Sequence, residues 1–281
     1  MVVCREIEEI KREVSLSKAQ NQTIGLVPTM GALHDGHLSL IESAKLQNNL
    51  VIGTIFVNPA QFNNQNDYKS YPIDLDEDIQ TMKQQGVSIV FTPQSQEIYP
   101  EQEIIKLSFG NIERHMEGKF RPGHFSGVGI VLSKLFNIIK PDKAYFGQKD
   151  LQQVSIVKKL VNDLFFDLEI VVVPTVREPD GLAASSRNRR LNSEQRKTAV
   201  IFYQTLNEAK KRLLDGDTIK NTTDYVKQAF GSSESVDLEY FDVVESDTLN
   251  PVKDINPTTR ISLCIAGYVG EVRLLDNIYL N

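Results

Sequence analysis

The strongest constraint on how this chain can fold is an alternation of two patterns between residues 23 and 176. Short apolar runs stand at "TIGLVPT" (23–29), "LVIGTIFV" (50–57), "VSIVFTP" (87–93), "KAYFG" (143–147) and "LEIVVVPTV" (168–176). Between them lie stretches of helical periodicity. "HLSLIESAKLQNN" has an apolar stripe at Leu38, Ile41 and Ala44, and "LDEDIQTMKQQG" is closed by Gly86. "GVGIVLSKLFNII" and "DLQQVSIVKKLVNDL" follow. Short apolar strands alternating with helices imply a parallel sheet covered on both faces. After residue 176 the pattern changes. A polar loop leads to a helix predicted over Ser193–Leu214 and another near Thr218–Phe230. Three strand-like runs come last, "VDLEYFDVVE", "RISLCIAGYV" and "EVRLLDNI". The expected fold class is α/β, with a parallel-sheet domain over residues 1–176 and a smaller α+β C-terminal domain over residues 177–281. At 281 residues the chain is long enough for both.

Composition narrows the function classes. A net charge of −6 argues against a general polyanion binder, so no nucleic-acid partner is expected. Cys4 and Cys264 lie far apart and match no metal or redox spacing, which favours a reducing compartment. The opening "MVVCREIEEIKREV" is charged and amphipathic, unlike a signal peptide. No run approaches the roughly 20 apolar residues of a membrane span. The expectation is a cytoplasmic protein with no membrane partner.

Ligands of open parallel sheets bind outside the carboxyl ends of the strands. The first such end leads through "PTMGALHDGH" (28–37), where Gly31 and Gly36 permit tight turns and Asp35 or a neighbour can cap the next helix. Free N–H groups at a helix start favour an anion. His34 and His37 in the same turn can donate to phosphate oxygens, most usefully where charge grows in a transition state. Two histidines three apart can also be half of a metal site, or carry no role. His115 and His124 are the only other histidines, and no residue is assigned as a metal ligand. "FGQKD" (146–150) ends another strand and adds Lys149, with Asp150 also suited to an N-cap. "EPDGLAASSRN" (178–188) sets Ser185, Ser186 and Arg187 after a Pro-Asp-Gly turn, a composition suited to clamping phosphate. Arg189 and Arg190 read as a solvated face. "FRPGHFSGV" (120–128) supplies Arg121 and His124 on a Pro-Gly loop, and "FVNPAQF" (56–62) supplies Asn58 and Gln61, neutral groups suited to a hydroxyl or carboxylate.

Together these segments and "KLFNIIKPDKAYFGQKDLQQ" resemble the pantothenate synthetase (pantoate–β-alanine ligase) family, in the right order and along almost the full chain. The resemblance implies a Rossmann-like nucleotidyltransferase domain with a small C-terminal lid domain, as a homodimer. It also implies the joining of (R)-pantoate to β-alanine with ATP as substrate and Mg²⁺, in pantothenate and coenzyme A biosynthesis. AMP and pyrophosphate would be released through a pantoyl-adenylate. By the same resemblance Met30, Gly31, Ala32, Leu33, His34, Asp35, Gly36 and His37 form the ATP-binding turn, with His37 as proton donor and His34 and Lys149 beside it in catalysis. Gly147, Gln148, Lys149 and Asp150 line the nucleotide. Val176 offers its backbone to adenine, and Ala184, Ser185, Ser186 and Arg187 cover the phosphates. Gln61 and Gln153 hold pantoate, Gln61 also lies near β-alanine, and Asn58 and Arg121 complete the substrate-binding set.

The chain departs from the family pattern at Ala184, where methionine is common, at Ile73, where a basic residue is common, and at Gly129-Ile130, in place of a small-Thr pair. None of these replaces a catalytic group that the resemblance implies. Attack of a carboxylate on the α-phosphorus brings two anions together, so phosphate must be neutralised by Lys149, the histidines, Arg187 and Mg²⁺.

Overall fold

The computed structural model of the chain describes residues 1–63, 68, 71–232 and 235–281. Two compact units divide it: Met1–Gly147 with Ile156–Pro174, and Gln148–Ser155 with Thr175–Asn281.

In the first unit the strands are β1 (Val2–Cys4), β2 (Ile24–Thr29), β3 (Leu50–Ile55), β4 (Ile89–Phe91), β5 (Lys143–Gly147) and β6 (Glu169–Val173). The helices are α1 (Ile7–Ala19), α2 (Asp35–Gln47), α3 (Leu75–Gln84), α4 (Ser95–Ile98), α5 (Met116–Phe120) and α6 (His124–Ile139). Helix α7 (Leu151–Asp163) follows, its residues through Ser155 counting with the second unit. All six strands pair in parallel, in the order β1-β4-β3-β2-β5-β6. Burial on both faces explains why β2 and β3 are apolar almost throughout. On one face Val27, Val51, Ile55 and Val90 form a core with Leu40, Ile41 and Ala44 of α2 and Met82 of α3. The helical stripe is thus Leu40, Ile41 and Ala44, while Leu38 is only half-buried.

Strand order reverses between β2 and β5, the topological switch point at which open α/β sheets bind ligands. The register shows the opening. β2 pairs with β3 from Ile24 to Thr29, but with β5 only through Gly25–Lys143 and Leu26–Ala144. Toward their carboxyl ends β2 and β5 therefore lose ladder contact, and those ends lead into Met30–His37 and Gly147.

The first strand escapes the sequence pattern. Val2–Cys4 is short and followed at once by charged residues, yet it pairs with Ile89–Phe91 at the sheet edge. Cys4 and Cys264 are both buried, and neither is in a disulfide.

The second unit contains α8 (Ser193–Thr198), α9 (Ile201–Leu214), α10 (Ile219–Gly231) and the antiparallel strands β7 (Val236–Glu245), β8 (Ile261–Val269) and β9 (Val272–Tyr279), in sheet order β7-β8-β9. Phe202 and Phe230 meet edge to face, 5.1 Å between ring centroids, in a core with Leu206, Val226, Leu263 and Ile265. The single helix expected over 193–214 is two helices, broken at Ala199-Val200. Thr198 Oγ1 bonds back to the Glu194 carbonyl at 3.0 Å, which bends a helix, and Phe202 N reaches Ala199 O in a tightened turn.

Candidate active site

In the first unit the site grows from the end of β2. Gly31 takes φ 84° and Ala32 φ 51°, two consecutive left-handed residues that swing the following amides inward. Those amides meet Asp78 of α3. Ala32 N donates to Asp78 Oδ2 and Leu33 N to Asp78 Oδ1, each at 2.8 Å. A Cβ at residue 31 would lie 2.7 Å from Asp78 Oδ2, so the carboxylate requires glycine there as well as the backbone angle does. The sequence reading missed Asp78. Its signal was that it shares the buried face of α3 with Met82, four residues on.

His34, the neighbour of Asp35, caps α2. Its Nδ1 accepts from Gly36 N at 3.1 Å, and His37 Nδ1 accepts from His34 N at 3.3 Å. The two rings lie 4.1 Å apart, tilted by 47°. Since both Nδ1 atoms accept backbone N–H groups, the neutral rings carry their protons on Nε2. The expected ring of free amides is thus largely engaged inside the protein: Ala32 and Leu33 by Asp78, His34 and Gly36 by the imidazoles, His37 by the His34 carbonyl. Hydrogen-bond donation from this turn falls to imidazole N–H, supported by the helix dipole.

A second cluster follows β3. Asn58 is 1% exposed. Its Oδ1 accepts from Ala60 N at 3.3 Å and from the Tyr99 hydroxyl at 2.6 Å, while Nδ2 donates to Gly127 O at 3.1 Å and Gln61 Oε1 at 3.2 Å. A backbone N–H can only donate and a carbonyl only accept, so the Asn58 amide has one possible orientation. Gln61 Oε1 must then face the Asn58 donor, and Gln61 Nε2 points toward Met30 Sδ at 2.7 Å. Burial, with the charge of Glu103, pushes the Tyr99 hydroxyl well above its ordinary range and keeps it a donor. His124 lies at the start of α6 rather than on a loop, buried, with Nδ1 2.8 Å from the Gln61 carbonyl. A Cβ on Gly127 would lie 2.2 Å from Ala60 O, so glycine lets α6 press against the turn that holds Gln61. Arg121 ends α5, with Nη1 4.0 Å from Glu117 Oε2. Ile73 is exposed, and Gly129 makes room for Phe109 and Leu107, whose atoms a Cβ would meet at 2.8 and 2.9 Å.

In the second unit Gln148, Lys149 and Asp150 form a 3-10 turn, with Lys149 Nζ 3.7 Å from Asp150 Oδ1. Gln153 is half-buried on α7. The Val176 carbonyl accepts from Ala184 N at 2.9 Å, and Ala184 is buried. Ser185 caps the turn Ser186–Arg190, its Oγ accepting from Arg187 N at 3.3 Å, and Arg189 and Arg190 are exposed. Lys149, Ser185 and Arg187 line one small cavity, whose wall also includes Arg273 and Asp276 of β9. Sequence reading placed a strand here but missed its place at this cavity. Asp276 and Asn277 are buried polar residues inside a strand, the former paired with Arg177. Burial pushes the Asp276 carboxyl up, against the hydrogen bonds and charge of Arg177.

Comparison with known proteins decides the class. The model of the family described as pantoate-beta-alanine ligase matches residues 2–279. The chain belongs to the pantoate–β-alanine ligase family. Pantothenate synthetase of Cytophaga hutchinsonii is 42% identical over 281 residues, covering 100% of this chain and 99% of the relative. That of Bacteroides fragilis is 44% identical over 278 residues, covering 99% and 98%. The crystal structure of pantothenate synthetase from Thermus thermophilus aligns with a TM-score of 0.93 at 37% identity, covering 100% of this chain and 99% of that one. Pantoate-beta-alanine ligase from Francisella tularensis, solved with beta-gamma ATP and beta-alanine, aligns with a TM-score of 0.81 at 37% identity, covering 100% and 98%. Members of this pantoate–β-alanine ligase family are ATP-dependent ligases, and this chain shares their fold end to end. No helix among its described residues is long and apolar enough to cross a membrane.

Proposed function

We propose that the protein joins (R)-pantoate to β-alanine through a pantoyl-adenylate, releasing pyrophosphate and then AMP. Family membership supports the reaction. The observation that most supports the route is the pair of imidazoles at the end of β2, both with Nδ1 turned to backbone and the proton on Nε2, beside the strand-order reversal. A pantoate carboxylate oxygen forms a bond to the α-phosphorus while the bond from that phosphorus to the bridging oxygen of pyrophosphate breaks. Negative charge then grows on the departing pyrophosphate, where His37 and His34 donate and where Lys149 and Arg187 supply positive charge. The β-alanine amine next attacks the acyl carbon, and AMP leaves with the former carboxylate oxygen.

In this reading Met30–His37 and Gly147–Asp150 serve the nucleotide, Val176 the adenine, and Ala184–Arg187 the phosphates. Gln61 and Gln153 hold pantoate, with Arg121 in the same substrate set. Asn58, its hydrogen bonds all internal, acts by supporting Gln61. Residues 1–176 bind ATP and pantoate, and residues 177–281 act as a small C-terminal lid domain. Among the described residues no group of three or more His, Cys, Asp and Glu gathers as a metal cage. Magnesium suits one carboxylate plus phosphate oxygens and water, and Asp150, half-exposed beside Lys149, fits that demand. Bound there, the ion would offset charge on the phosphates. The reading further includes a cytoplasmic homodimer.

Isotope exchange tests the route. Pantoate and ATP without β-alanine should support exchange of labelled pyrophosphate into ATP. Pantoate carrying ¹⁸O in its carboxylate should leave one labelled oxygen in AMP once β-alanine is added. Release of ADP, or of unlabelled AMP, would overturn the adenylate.

A further inference from the structure

We infer that Asn277, on the last strand of the second unit, is a positioning residue for Lys149. The inference rests on the reading of Lys149 as a phosphate-binding group. Asn277 is 2% exposed, and its Nδ2 donates to two consecutive carbonyls, Gln148 O at 3.0 Å and Lys149 O at 2.8 Å. Carbonyls only accept, so they settle which end of the Asn277 amide faces the turn, and Oδ1 then faces Gln148 Nε2 at 3.4 Å. A single side chain thus brackets the residue before Lys149 and Lys149 itself.

The strand that carries Asn277 is anchored in turn. Arg177 donates to both oxygens of Asp276, at 2.6 and 3.0 Å, and its Nη2 reaches the Asn277 carbonyl at 3.2 Å. The same guanidinium donates to Gly181 O and stacks on Tyr203, 4.0 Å from the ring centroid. Asp276 lines the cavity shared by Lys149, Ser185 and Arg187. The neighbouring residues of β9 therefore do two things: Asp276 walls the cavity and Asn277 holds the backbone of Lys149, which lines the same cavity. Three-residue 3-10 turns hold their carbonyls poorly by themselves, which is why an outside donor matters here.

Asn277→Asp tests this, being nearly isosteric while turning an oxygen toward two carbonyl oxygens. The expected result is a fall of about tenfold or more in kcat/KM for ATP, with KM for pantoate moving less than about twofold. In a Lys149→Ala background the same substitution should cost little more, because the group it positions is gone. Unchanged kinetics would overturn the proposal, and so would an equal proportional loss in both backgrounds, the mark of a merely structural role. If thermal melting shows that Asn277→Asp does not fold, Asn277→Ser is carried through the same cycle and judged by the same outcomes. A Lys149→Ala enzyme with intact activity would instead sink the reading of Lys149 beneath it.

Discussion

Asp78 Oδ2 accepts the backbone amide of Ala32 at 2.8 Å, from a carboxylate only 2% exposed. Its other oxygen takes the amide of Leu33, so one acid on α3 holds the turn that carries both histidines. Asp78→Asn keeps the shape but sets an NH2 against one of those amides. A buried donor left unsatisfied costs about 1–3 kcal/mol. Urea denaturation should show a loss in that range, together with slower adenylate formation as the turn loosens. An unchanged midpoint would contradict the role given to Asp78.

Tyr99 should matter to pantoate and not to ATP. Its hydroxyl donates to Asn58, Asn58 donates to Gln61, and the Gln61 NH2 is thereby turned toward Met30. Tyr99→Phe removes one hydrogen bond to a buried carbonyl oxygen, worth about 1 kcal/mol. KM for pantoate should rise roughly fivefold with KM for ATP nearly constant. If both rise together, the chain of amides is not what Tyr99 supports.

The His37 imidazole should act on the chemical step. His37→Ala should slow single-turnover adenylate formation by about 10²- to 10³-fold, the usual loss for one preorganised donor. ATP affinity, measured directly by titration, should change far less. Near-normal single-turnover kinetics would remove His37 from the mechanism.

Cys4 gives a prediction at alkaline pH. Burial first, then the charges of Glu9 and Glu13, push its thiol from the ordinary 9.0 to about 11. A raised folded-state value means stability that is complete below about pH 9 and lost as pH climbs toward 11. Relative to Cys4→Ala, the wild type should lose about 1–2 kcal/mol between pH 8 and 10.5 in urea melts. A difference that stays flat over that range would rule this out. At pH 8 the native thiol should also resist iodoacetamide, since only the thiolate reacts.

The parallel sheet was legible because burial on both faces leaves an unmistakable trace in β2 and β3. The turn after β2 was legible too, since glycines and histidines at a strand end point to ligand chemistry. Asp78 was not: its spacing from Met82 in "LDEDIQTM" can place it on the buried face, but what it binds there is fixed by the Gly31-Ala32 backbone it meets. Val2–Cys4 was hidden because a three-residue edge strand carries too little pattern. The break at Ala199-Val200 depends on a local bond from Thr198 that periodicity does not register. "EVRLLDNI" read as a strand and is one, but the work of Asn277 lies in contacts to residues far back in the chain.

That distance has a consequence in time. Asn277 closes on the Lys149 carbonyl from 128 residues later in the chain. At a translation rate of about 5–20 residues per second, the turn waits roughly 6 to 26 s after its own synthesis before the amide that braces it exists. A nascent chain still on the ribosome can build the parallel sheet from its early strands, yet its Lys149 turn remains unbraced until β9 emerges. Bracing of the Lys149 turn therefore waits on β9, however early the first strands fold.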